Sequence, residues 1–95
     1  MVSEDVRKII GRKRTMEVLE LLISSKSLHY SEIENSVDTS SDMITDALDL
    51  LCKNELVERI EENPRKVRYE PTETGRDFIQ AVEKIEEILE VQIDS

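Results

Sequence analysis

Four hydroxyl side chains, Thr39, Ser40, Ser41 and Thr45, gather at the start of one stretch with helical periodicity. Hydroxyls beside the free amides of a helix N-terminus suit phosphate contact and modest base reading. Two groups of cations share that affinity for phosphate. Arg12, Lys13 and Arg14 stand together near the N-terminus, and Arg65, Lys66 and Arg68 follow Pro64, which stiffens its loop. Against them stand Asp42, Asp46 and Asp49, spaced to share the outward face of the hydroxyl-bearing helix with Lys53. Aspartate can accept a hydrogen from the amino group of cytosine, but it cannot make the paired contact to guanine that arginine makes. The chemistry on offer is recognition of a polyanion, complicated by an acidic ridge. The same ridge also fits a packed helix with a solvated acidic face, or one that docks onto a basic partner protein.

Nothing in the chain is arranged for catalysis. His29 is the sole histidine and Cys52 the sole cysteine, which leaves no cysteine-based zinc site, no internal disulfide and no activated nucleophile. Cys52 follows Leu48 by one helical turn, as a half-buried small apolar residue does. No glycine-rich phosphate loop is present. The expectation is no enzyme, no metal and no cofactor.

The net charge of −9 is unevenly spread. Residues 7–14 carry +5 and residues 63–68 carry +3, leaving −17 for the remainder. An evenly acidic protein repels nucleic acid, whereas this one concentrates two basic spots in an acidic background. Ninety-five residues suit one domain with a modest core and no roomy cavity. The start lacks the apolar run of a signal peptide and nothing approaches a membrane span, so a cytoplasmic protein is expected.

The elements that position these residues can be read from periodicity. Val18, Leu19, Leu22 and Ile23 make the buried stripe of a helix from about Arg12 to Ser24, with Gly11 interrupting any earlier turn. Leu28-His29-Tyr30 reads as a short edge strand. Ser31 and Glu34 have capping-box spacing at the head of a helix to Val37. The hydroxyl-bearing helix then spans about 40–54. Ile44, Ala47, Leu48 and Leu51 face inward, and Asn54 closes it by tolerating a left-handed conformation. Two short helices at this separation form a helix-turn-helix. Val57, Ile60, Val67 and Tyr69 predict a hairpin, a wing over about 56–70, with a six-residue loop from Glu61 to Lys66 and a bulge. Thr72 caps a last helix of about 72–91, and Gly75 permits close packing there. Phe78, Val82, Ile85 and Leu89 alternate by four and three, and Ile79 widens their arc beyond what a small core needs. A homodimer through Phe78, Ile79, Val82, Ile85 and Leu89 is expected. The order helix, strand, helix, helix, hairpin, helix predicts a mainly α winged helix-turn-helix domain over 1–95, with a small β-hairpin and a long C-terminal dimerisation helix.

The chain also resembles the HxlR-type winged-helix regulators, relatives of the MarR and PadR groups, over roughly residues 9–89. The resemblance rests on Ile9-Ile10-Gly11-Arg12-Lys13 with Thr15, Val18, Leu19 and Leu22, and on Tyr30-Ser31-Glu32-Ile33. It continues through Ser40, Ile44-Thr45, Leu48 and Leu51, then Leu56-Val57-Glu58-Arg59, Pro64 to Tyr69, and Thr72-Glu73-Thr74-Gly75. It implies a homodimeric transcriptional regulator that binds double-stranded DNA, with dimer contacts from the terminal helices. Arg14 stands where members usually have Trp, and the three aspartates stand where members place basic or amide side chains. The cysteine near the first helix with which some members sense oxidants has no counterpart here.

Overall fold

The computed structural model describes the backbone of residues 3–94 and the side chains of 3–90. Its elements are α1 (Glu4–Gly11), α2 (Lys13–Ser25), β1 (Leu28–His29), α3 (Tyr30–Ser36), α4 (Ser41–Lys53), β2 (Val57–Asn63), β3 (Lys66–Pro71) and α5 (Glu73–Asp94). The chain is mainly helical, with one antiparallel sheet in the order β1-β3-β2.

The two apolar stripes meet as their periodicity requires. Val18, Leu19 and Leu22 of α2 pack with Ile44, Ala47, Leu48 and Leu51 of α4 in a core that also takes Ile9, Ile33, Leu56, Val57, Tyr69 and Ile79. Covering the Val, Leu and Ile side chains is worth on the order of 2 kcal/mol each, which holds α2 and α4 together as the frame for the remaining parts. β3 is the central strand and packs over α2, with Tyr69 and Pro71 directed inward.

Several elements differ from the expectation. A full helix precedes Arg12. Ser3 caps α1 by accepting from Val6 N–H at 3.2 Å, and Gly11 is its last residue. The break falls at Arg12, whose backbone is extended at φ −105° and ψ 108°. The head of α3 is set two residues earlier than Ser31. Glu32 accepts from the backbone N–H of His29 at 2.9 Å, because pairing of β1 with β3 holds His29 extended. Asn54 is not left-handed (φ −96°); Glu55 takes that conformation at φ 60°. The Asn54 amide instead donates to the Leu50 carbonyl at 2.9 Å and to Asp5 at 3.1 Å, tying α1 to the end of α4.

The hairpin is tighter than a six-residue loop. Strand pairing continues to Asn63↔Lys66, leaving Pro64 and Arg65 as the turn. The expected bulge lies near the tip, between Glu61 and Asn63. Asn63 holds the turn by accepting the Arg65 N–H on its side-chain oxygen at 2.9 Å.

At the exit from the wing, Thr72 caps α5 by accepting from Gly75 N–H at 3.0 Å. It also donates its hydroxyl to the Glu55 carbonyl at 2.6 Å and its N–H to the Leu56 carbonyl at 3.0 Å. Gly75 is needed here for close approach: a Cβ on it would lie 2.1 Å from the Leu56 carbonyl oxygen. The joint fixes the direction in which α5 leaves the core.

Candidate nucleic-acid interface

Polar contacts from α3 orient the first turns of α4, and its apolar stripe anchors the rest. Ser40, the N-cap, accepts from Met43 N–H at 3.3 Å. Tyr30, at the head of α3, bonds through its hydroxyl to the Ser41 carbonyl at 3.3 Å and to the Thr45 hydroxyl at 3.2 Å. The Ser41 hydroxyl donates to Glu34 of α3. These bonds lock α3 and α4 into a fixed helix-turn-helix pair. They also engage Ser40, Ser41 and Thr45 inside the protein, although a hydroxyl used once retains capacity for a second bond. Thr39 is half-buried at the turn. Sequence reasoning misses Tyr30 as the bolt between the two helices, because its partners lie 11 and 15 residues away.

The outward face of α4 carries Asp42, Asp46, Asp49 and Lys53, all exposed. Lys53 pairs with Asp5 at 3.4 Å, while the three aspartates enter no ion pair among the described residues. Asp5 titrates below its ordinary range because the Asn54 amide donates to it and Lys53 stands beside it. Arg12 comes alongside α4, lining a shallow recess with Thr15, Met43, Asp46 and Ala47.

The six predicted cations separate into two kinds. Arg12, Lys13, Arg65 and Lys66 are exposed and pair with no carboxylate among the described residues. Arg14 is held by Glu17 at 2.9 Å. Arg68 is held by Glu62 at 3.1 Å and Glu70 at 3.2 Å. Arg65 and Lys66 occupy the wing tip, where they line a groove with His29, Tyr30, Ser31 and Glu32. His29 is not a free edge residue: its ring lies 3.0 Å from Glu32 and 3.4 Å from Glu62. The hydrogen bond from His29 N–H, reinforced by the ring, holds the Glu32 carboxyl below its ordinary range.

Cys52 is half-buried, and burial, reinforced by Asp49, pushes its thiol above the ordinary range. Such a thiol stays protonated and weakly nucleophilic at neutral pH. Among the described residues no group of histidine, cysteine and acidic side chains is placed to hold a metal ion. No helix among them is long and apolar enough to cross a membrane.

The residues expected at a dimer interface also divide. Ile79 and Val82 are buried in the chain's own core and Phe78 is partly buried against it. Ile85 and Leu89 are exposed at 50% and 54%, on the part of α5 that extends past the core, and Ile88, outside the expected set, is exposed beside them at 50%.

A capped helix bolted to a shorter helix, beside a hairpin with a cationic tip, defines a winged helix-turn-helix of the class that regulates transcription by binding DNA. Comparison with known proteins agrees. Residues 9–95 match the family model described as HxlR-like helix-turn-helix, and the chain belongs to that family of winged-helix DNA-binding transcriptional regulators. Its fold is similar to that of the reduced form of the transcriptional regulator YodB from Bacillus subtilis, at 23% identity and a TM-score of 0.74, covering 90% of this chain and 89% of that one. A MarR-family structure from Enterococcus faecalis V583 superposes at a TM-score of 0.78 with 19% identity, covering 99% and 92%. A cysteine-to-serine mutant of MarR from Escherichia coli, complexed with operator DNA, is 22% identical at a TM-score of 0.65; the match covers 73% of this chain and 51% of that one. No curated protein matches.

Proposed function

We propose that residues 1–95 act as one winged-helix unit, as a cytoplasmic homodimer that recognises an operator in double-stranded DNA. In this reading α4 enters the major groove, and Arg12, Lys13, Arg65 and Lys66 contact phosphates. Thr39 and the N-terminal hydroxyls Ser40, Ser41 and Thr45 position the helix. Arg14 and Arg68 shape the surface through their carboxylate partners and contribute little net charge to the contact. The observation that carries the proposal is a set of four exposed cations, Arg12 and Lys13 at the start of α2 and Arg65 and Lys66 at the wing tip, unpaired among the described residues in a chain whose net charge is −9. Their placement supports DNA binding despite the global charge, because contact depends on the local potential within about a Debye length, ~8 Å at physiological salt.

The exposed half of α5 supports the dimer. Ile85, Ile88 and Leu89 would leave water in a symmetric pairing with a second copy, while Ile79 and Val82 stabilise the single chain and Phe78 stands at the border. Docking of the acidic face of α4 onto a basic partner protein is not favoured by family membership. Selection from random double-stranded oligonucleotides tests the proposal. A two-fold symmetric site should be enriched at low salt and persist as salt is raised. Recovery of no sequence preference at any salt would refute it.

A further inference from the structure

Met43 is the one large apolar residue of α4 that remains exposed, at 44%, among the described residues. A single exposed apolar side chain is commonplace on a protein surface, and Ile10 is equally exposed. The position of Met43 sets it apart. It stands in the first turn of α4, and its backbone N–H is the group that caps onto Ser40. On the helix it lies between buried Ala47 and the exposed ridge of Asp42 and Asp46, on the flank facing Arg12. The opposite flank, Ser41 and Thr45, is taken up by Tyr30 and Glu34. Beside hydroxyls already bonded within the protein, the first turn of α4 therefore offers an incoming base carboxylate oxygens along the ridge and one flexible apolar side chain.

We propose that Met43 is a specificity-determining residue of α4 that makes apolar contact with the C5-methyl group of a thymine in the major groove. The proposal rests on α4 being the groove-entering helix. The thymine methyl is the apolar feature that distinguishes base edges in the major groove, and the unbranched thioether chain of methionine adapts to it readily. Arg12, across the shared recess, is free to hold a phosphate close to the base that Met43 touches. Asp42 and Asp46 accept hydrogens from the amino groups of adenine or cytosine and repel the acceptor edge of guanine. The thymine is therefore expected beside amino-bearing bases.

Replacing each thymine of an enriched duplex by deoxyuridine, one at a time, removes the methyl and leaves the pairing intact. The full-length wild type should lose about fourfold in affinity at one such position per half-site, on the scale of one buried methylene. Met43→Ala should bind the thymine and deoxyuridine duplexes equally, and Met43→Leu should restore the difference. Met43 is exposed and outside the core, so equal thermal midpoints of the variants will show that all are folded. The inference is overturned if no deoxyuridine substitution weakens the wild type, or if Met43→Ala responds as the wild type does. An enriched duplex without methyl dependence overturns the role of Met43 and leaves DNA binding standing. Absence of any enriched duplex overturns both.

Discussion

Substitution of Gly75 by alanine tests the joint between the wing and α5. By helix propensity alone the change stabilises a helix by about 1 kcal/mol. The packing predicts the opposite. The new Cβ would stand 2.1 Å from the Leu56 carbonyl oxygen, where an ordinary carbon-to-oxygen contact is about 3.3 Å. The obstacle is backbone, so α5 and the chain at Leu56 must separate by roughly 1 Å. That displacement strains the bond from Thr72 N–H to Leu56 and the bond from the Thr72 hydroxyl to Glu55, each worth about 1 kcal/mol net. Overpacking adds about 1–3 kcal/mol, so after the helix gain the variant should be less stable by roughly 2–4 kcal/mol. In a domain of this size that lowers the thermal midpoint by about 8 °C or more. Gly11→Ala is the control, because nothing lies within 4 Å of its Cβ position; it should be neutral or stabilising by up to about 1 kcal/mol. Thermal and urea unfolding followed by circular dichroism give both values. If Gly75→Ala proves as stable as the parent, the close approach of α5 to Leu56 is wrong.

Two further outcomes follow from the same geometry. Ile85→Glu with Leu89→Glu should abolish the proposed pairing of two copies and leave a folded monomer in sedimentation at micromolar concentration, since both side chains are exposed in the single chain; a dimer that survives would exclude this face. For Glu32, the carboxyl is held below its ordinary 4.5 by the His29 bonds, so its stabilisation is complete above that pH and is lost as pH falls through the lowered value. Urea midpoints should therefore fall less steeply in Glu32→Gln than in the wild type below about pH 4.5, and parallel curves would contradict the assignment.

The helical frame is legible because burial writes a 3.6-residue period into α2 and α4. Each of Val18, Leu19, Leu22, Ile44, Leu48 and Leu51 signals its side of the core by spacing alone. The wing is legible at its buried base, Val57 and Tyr69, and illegible at its tip. Glu61 and Asn63 have little strand propensity, and their pairing is set by the neighbouring backbone and by the Asn63 side chain. Spacing misplaces the cap of α3 because Ser31–Glu34 and His29–Glu32 are separated equally. Only the partner strand, supplied by residues 68 and 69, decides between them. The site is legible as residue types and not as their commitments. Nothing local reveals that Tyr30 reaches Thr45, that Glu34 takes Ser41, or that Glu62 neutralises Arg68. The Glu62–Arg68 pair, with the local Arg14–Glu17 pair, divides the cations into free and engaged, and the hairpin that makes the former exists only after the chain has folded.

The most direct test of DNA contact by the wing is the salt dependence of operator affinity for the wild type and for Arg65→Ala with Lys66→Ala. Each neutralised phosphate contributes about −0.9 to the slope of log K against log salt, and the proposed dimer would lose up to four such contacts in the double variant, so the slope should become shallower by about 3–4. An unchanged slope would mean that the wing tip does not touch DNA, and would contradict the central claim that these free cations give an acidic protein its hold on DNA.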